Sequence, residues 1–171
     1  MELRLVCHTP VVRVYEDVTN DWLYVEWEGT LLLPVVQHAC LEVARCFLEH
    51  LYPRVLNTNL LVTHIDREVG PWLAQNLLPS LELAGVERLA WVHATSTAGL
   101  NLVEQATGHL SLLQVATFGD MEEAVSWLQR TPPGRLEAGS ALGRRPADEQ
   151  KLTHLVGKLD QLVQGPTAVK S

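Results

Sequence analysis

Hydrophobic and polar positions change their spacing along this chain in a way that reads as alternating strands and helices. Residues 11–16 (Val-Val-Arg-Val-Tyr-Glu) and 22–27 (Trp-Leu-Tyr-Val-Glu-Trp) are rich in β-branched and aromatic side chains, and turn formers fill 17–21 between them. That pattern predicts a hairpin. Residues 3–7 add an edge strand that Pro10 stops. From Val35 the spacing shifts to steps of three and four. Val35/Val36, Ala39/Cys40, Val43/Ala44, Phe47/Leu48 and Leu51 make one apolar face, with Glu42, Arg45 and Glu49 opposite, and Pro53 closes the helix.

Three further strand–helix alternations follow. A short strand is expected at 54–57, with 60–62 extending its apolar run, then a helix at 72–84 that contains Pro79 and stops at Gly85. Residues 88–93 read as a buried strand, and 97–107 as a helix capped by Ser96 or Thr97 and ended by Gly108. A last strand at 112–118 leads to an Asp120-capped helix at 121–129, whose inner face is Ala124, Val125, Trp127 and Leu128. The order predicts an α/β fold: a mostly parallel β-sheet, helix-covered, with an antiparallel hairpin at one end.

The pattern breaks at Thr131-Pro132-Pro133-Gly134, which opens a stretch rich in Gly, Pro, Ser and Ala. We divide the chain into a compact domain at 1–130, a flexible linker at 131–146 and a tail at 147–171. In the tail Leu152, Leu155, Val156, Leu159, Leu162 and Val163 recur at intervals of three and four before Gly165-Pro166. That C-terminal amphipathic helix is too short to stand alone in water, so its seam must dock. It can dock on its own domain or on a second chain, which would make a homodimer. Charge divides at the same place. Through Gln129 there are 6 Arg, no Lys and 16 acids, a net of −10, while residues 130–171 carry 4 Arg, 3 Lys and 4 acids, a net of +3.

Composition narrows the function classes. With 171 residues, 47% of them hydrophobic, the chain can build a real core. No apolar run approaches the ~18–20 residues of a membrane span. Met1-Glu2-Leu3-Arg4 does not resemble a secretory leader. Cys7, Cys40 and Cys46 form no CxxC pair and read as buried thiols, which suits a cytoplasmic protein. The overall net charge of −7 argues against nucleic acid as a partner.

Candidate chemistry is sparse. A hydrolase could combine Ser96 with His64 or His93 and Asp66, yet no GxSxG elbow surrounds Ser96 and helix capping explains its hydroxyl. The seven histidines never pair at i, i+4, and only His64 and Asp66 share a chelating spacing, so no metal is expected. Without a glycine-rich phosphate loop, no cofactor is expected either. Asn57-Thr58-Asn59 stands at a strand end and offers a hydroxyl and two amides in a loop. Trp72 and Trp91, with Leu77, could line an apolar pocket beside the proline-kinked helix.

Several of these segments, in order, resemble a known family. They are 21–29 (Asp-Trp-Leu-Tyr-Val-Glu-Trp-Glu-Gly), 54–59 (Arg-Val-Leu-Asn-Thr-Asn), Trp72 with Leu78-Pro79-Ser80 and Ala84-Gly85, 89–92 (Leu-Ala-Trp-Val), and 117–128 from Thr117 to Leu128. Together they are similar to bacterial SpoIIAA-like proteins, relatives of the anti-sigma-factor antagonist (STAS) domain and of SEC14-type domains. The likeness covers about 11–129. It implies a STAS-like sheet with helices mainly on one face and a non-catalytic regulatory role exerted by protein–protein contact. The SEC14-type side of the family implies, as an alternative, a module for a lipid-like small molecule. In STAS domains a Ser or Thr after the central strand is phosphorylated to control partner binding. The corresponding region here is 57–63, and the family pattern of an acidic residue at position 58 and a small hydroxyl residue at 60 is replaced by Thr58 and Leu60. The resemblance thus nominates Asn57, Thr58, Asn59, Thr63, His64 and Asp66 as a partner-binding or switch loop.

Overall fold

A computed structural model describes residues 1–93, 113–130 and 146–165. Its elements are β1 (Leu3–His8), β2 (Val12–Asp17), β3 (Trp22–Leu31), α1 (Leu33–Glu49), β4 (Arg54–Ile65), α2 (Val69–Leu83), β5 (Arg88–Val92), β6 (Gln114–Phe118), α3 (Met121–Arg130) and α4 (Pro146–Gln164). The strands form one six-stranded sheet in sequence order. β1, β2 and β3 pair antiparallel, and β3 to β6 pair parallel. The mixed α/β sheet with its hairpin at one end is therefore as expected. The expected helix at 97–107 and the linker at 131–145 lie outside the described residues.

Alternation along the strands decides what each face of the sheet holds. Val12, Val14, Leu23, Val25, Trp27, Val55, Leu89 and Trp91 point into one large core with α1, α2 and α4. Trp22, Tyr24, Leu56, Ala90 and Val92 point the other way, into a smaller core closed by Ala124 and Leu128 of α3. Each strand residue changes sides with its neighbour because the pleat has a period of two. Three of the four described helices thus share one face.

Local chemistry sets the helix ends. Pro34 occupies the first turn of α1, where its missing N–H breaks nothing. The Leu33 N–H of that turn donates to Asp66 Oδ2 at 3.3 Å, so the carboxylate that follows β4 caps α1. α2 begins three residues earlier than the pattern suggested and ends in a Schellman turn: Val86 N donates to Leu81 O at 3.0 Å and Gly85 N to Glu82 O at 3.1 Å. Gly85 carries the positive φ of 88° that this turn needs. Asp120 caps α3 as expected, its Oδ1 accepting from Glu122 N at 2.8 Å and Glu123 N at 3.1 Å.

β4 corrects the reading of 57–66 as a loop. It is one strand of 12 residues, and its partner β3 runs beside it to Leu31↔Ile65. The register slips between Glu26 and Glu28 and again between Gly29 and Thr30, so β4 carries two irregularities rather than a turn. Pairing with β3 along this length outweighs the turn preference of Asn-Thr-Asn.

The tail helix docks in cis. Leu152, Val156 and Leu159 of α4 are buried in the core shared with α1 and α2, and Val163 packs against it. Arg45 Nη2 of α1 reaches Asp160 Oδ1 at 3.1 Å across the junction. Leu155 is half-buried, whereas Leu162 is 57% exposed and takes no part in the seam.

Candidate functional site

Beneath α1 and α2 the large core is not completely filled. A cavity of about 40 Å³ lies against β3, β4 and β5. That volume has room for about three waters. Its helical walls are aliphatic and aromatic, with Val36, Val43 and Phe47 from α1 and Leu73, Leu77, Leu78 and Leu81 from α2. Its sheet floor is different. Positions 55, 57 and 59 of β4 face the helices, and two of them are amides, Asn57 and Asn59.

These buried amides are tied into a short network. Trp27 Nε1 of β3 donates to Asn57 Oδ1 at 2.9 Å, and Asn57 Nδ2 donates to Asn59 Oδ1 at 3.2 Å. An unpaired buried amide would cost about 1–3 kcal/mol, so this chain of bonds is what lets a polar pair sit in an apolar core. Trp91 of β5 completes the floor. It is 5% exposed, and its indole Nε1 is buried without a hydrogen-bond acceptor. Among the described residues no charged side chain lines the cavity. The site therefore combines an apolar wall, a fixed amide pair and an indole N–H with no partner among the described residues.

The sequence-nominated residues separate into three groups. Asn57, Asn59, Leu77 and Trp91 come together at the cavity. Thr58 is buried, and its Oγ1 accepts from Leu60 N at 3.3 Å, so neither it nor the two asparagines stand on an exposed loop. Thr63, His64 and Asp66 lie at the far end of β4 and just beyond it, with Thr63 and His64 exposed. His64 Nε2 sits 3.5 Å from Asp66 Oδ1, while the other Asp66 oxygen caps α1, which gives this pair a structural explanation. Among the described residues no three metal-ligating side chains cluster.

Trp72 does not line the cavity; the neighbouring Leu73 does, and Trp72 is half-buried at the margin of the core. One position along a helix turns a side chain by about 100°, so an error of one residue in α2 exchanges wall for rim. Trp27 and Phe47 were not singled out from sequence. The only signal for Trp27 is its place in the alternation of β3. Of the hydrolase candidates, His93 is buried at the end of β5 and Ser96 lies outside the described residues.

Burial also governs the titratable groups around the two cores. It raises the Cys40 thiol well above its ordinary range. Burial and then the hydrogen bond to Glu26 raise the Tyr24 phenol, and burial pushes Tyr52 up to about 12. All three are neutral at physiological pH.

No protein-family model and no curated protein matches the chain. Among solved structures, it is similar to an uncharacterized protein from the DUF3478 family with a SpoIIAA-like fold, from Shewanella loihica. The identity is 10%, the TM-score 0.49, and the match covers 72% of this chain and 98% of that one. No helix among the described residues is long and apolar enough to cross a membrane.

Proposed function

We propose that this protein is a non-catalytic binding module that holds a small, neutral, mostly apolar molecule carrying one hydrogen-bond acceptor, between the sheet and α1/α2. The observation that carries this reading is the apolar cavity itself, floored by the Asn57–Asn59 amide pair and by Trp91, whose buried indole Nε1 has no hydrogen-bond partner among the described residues. A buried donor left unpaired destabilises the empty protein, and a ligand carbonyl or ether oxygen removes that penalty on binding. An ionised ligand group would find no counter-charge among the lining residues, which favours a neutral one. The cavity is small against the roughly 300–1,000 Å³ of drug-sized sites. Its occupant has only a few heavy atoms unless α2, weakened by the backbone bond that Pro79 cannot make, shifts outward. A thermal-shift titration with cyclopentanone and with cyclopentane tests the reading. The ketone is expected to bind about tenfold more tightly than the hydrocarbon, the ratio one hydrogen bond supplies. Equal responses, or none to either, would count against it.

A second reading, contact with a protein partner or with another copy of the chain, is supported by the far half of β4. Leu60 and Leu61 are 42% and 50% exposed there, next to Thr63 and His64. Adjacent exposed leucines on a strand are unusual unless something covers one of them. For self-association, sedimentation velocity should show a concentration-dependent dimer that Leu61→Lys abolishes. A monomer at every concentration excludes it.

A further inference from the structure

Cys7 and Cys46 are 39 residues apart in sequence, yet their sulfurs lie 3.7 Å apart, with Cys46 Sγ donating to Cys7 Sγ. We propose that these two thiols are a reversible disulfide site that ties the edge strand β1 to α1 when the protein meets a low-molecular-weight disulfide.

The juxtaposition is built by an irregularity in β1. Leu5 pairs with Tyr15, but Cys7 pairs with Val14, so one residue of β1 is skipped at Val6. Without that slip Cys7 would share the face of Leu5, whose partner Tyr15 stacks on Tyr24 on the side of α3. With it, Val6 and Cys7 both pack against the core on the helical side, where Cys46 is buried on the inner face of α1. Disulfide formation closes the sulfurs from 3.7 Å to roughly 2 Å.

The two thiols are unequal in the way such a reaction needs. Cys7 is half-buried and reachable, whereas Cys46 is buried. The bond donated by Cys46 holds the Cys7 thiol below its ordinary range, against the opposing effects of burial and of Glu42, and the same contact together with burial pushes Cys46 up. Cys7 is thus the attacking sulfur. Its thiolate attacks one sulfur of the incoming disulfide, forms a mixed disulfide and releases one small thiol. Cys46 then loses its proton and attacks the Cys7 sulfur, forming the protein disulfide and releasing the second small thiol. Two protein thiols are oxidised and one small disulfide is reduced to two thiols. Cys40, buried in α1 with its thiol raised by burial, stays out of the exchange. The tether closes a loop of about 40 residues, and its anchor on α1 lies between the cavity residues Val43 and Phe47.

The experiment is oxidation of the native full-length chain with oxidised glutathione, followed by alkylation and mass spectrometry under non-reducing conditions. The expected product has lost two hydrogens, keeps one alkylatable thiol at Cys40, yields a peptide joining Cys7 to Cys46, melts roughly 10 °C higher and reverts with dithiothreitol. Cys40→Ser should still form it. Cys46→Ser should stop at one glutathione on Cys7. Three free thiols after prolonged exposure, a Cys7–glutathione adduct that persists in the native chain, a disulfide-linked dimer or an unchanged melting temperature would each overturn the proposal.

Discussion

On the α3 face of the sheet, Trp22, Leu56, Ala90 and Val92 meet Ala124 and Leu128 in a small core, whereas on the opposite face the same strands place Asn57, Asn59 and Trp91 beside a cavity. Leu56 and Asn57 are adjacent residues of β4, and the pleat alone sends one to each side. Both faces leave one indole N–H buried without an acceptor, that of Trp22 on the α3 side and that of Trp91 on the other. Their surroundings differ. The Arg54 guanidinium lies over the Trp22 ring at 5.6 Å and anchors itself to Asn20 O at 2.6 Å, so the Trp22 side is closed by the protein's own groups. Trp91 instead lines the cavity. The comparison teaches that two equally unpartnered indoles differ in what lies beside the ring, a cation of the protein's own on one face and a cavity on the other.

Truncation should separate the two faces most strongly. Leu56→Ala removes a fully buried side chain from the small core and is expected to lower unfolding free energy by about 3–5 kcal/mol in urea denaturation. Leu77→Ala on the cavity wall should cost less, about 2–3 kcal/mol, and should admit a larger ring than cyclopentanone. Equal costs with no change in ligand size would erase the distinction between the two faces.

Asn57→Ala comes next. It strips the Trp27 indole of its acceptor and leaves Asn59 without the bond from Asn57, and should destabilise by about 1–3 kcal/mol. On the α3 face, Thr58→Val replaces a hydroxyl that accepts a long local bond from Leu60 N at 3.3 Å, and should change stability by less than about 1 kcal/mol. A larger loss in Thr58→Val than in Asn57→Ala would mean that the amide network does not hold the floor together.

Alkaline pH tests both faces at once. Cys40 and Tyr52 in the large core and Tyr24 in the small one all hold their protons more tightly when folded. Their contribution is complete below the unfolded values of 9.0 for cysteine and 10.0 for tyrosine and is lost as pH rises, because the unfolded chain ionises first. For Tyr52 the loss runs from 10.0 to about 12. Urea midpoints should therefore fall above about pH 9, with a slope of the order of 1 kcal/mol per pH unit for each group. A flat profile between about pH 8 and 11 would show that these groups are not buried as described.

How much of this was legible in sequence depended on whether the deciding contact was local. The steps of three and four in 35–48 announced α1, and the buried set Val36, Ala39, Cys40, Val43, Ala44 and Phe47 follows them. The hairpin of β2 and β3 and the Asp120 cap were equally readable. β4 was not, because Asn-Thr-Asn reads as turn chemistry until Trp27, 30 residues away, supplies a donor. The structure places Trp91 and Leu77 at the cavity and Trp72 one helical position away from it. An acidic domain and a basic tail attract each other. The ion pair that joins them runs the other way, with the cation on α1 and the acid on α4, and buried leucines make the main contact. The meeting of Cys7 with Cys46 depends on a skipped residue in β1, which no spacing rule reveals.

The most direct test of the central claim follows the indole N–H signals by NMR while cyclopentanone is added to the native chain, with Trp91→Phe and Trp22→Phe assigning the two buried indoles. The expected result is a saturable downfield shift of the Trp91 indole proton with ketone and not with cyclopentane, lost in Trp91→Phe and retained in Trp22→Phe. An unmoved Trp91 signal at saturating ketone, or equal shifts at Trp22 and Trp91, would contradict it.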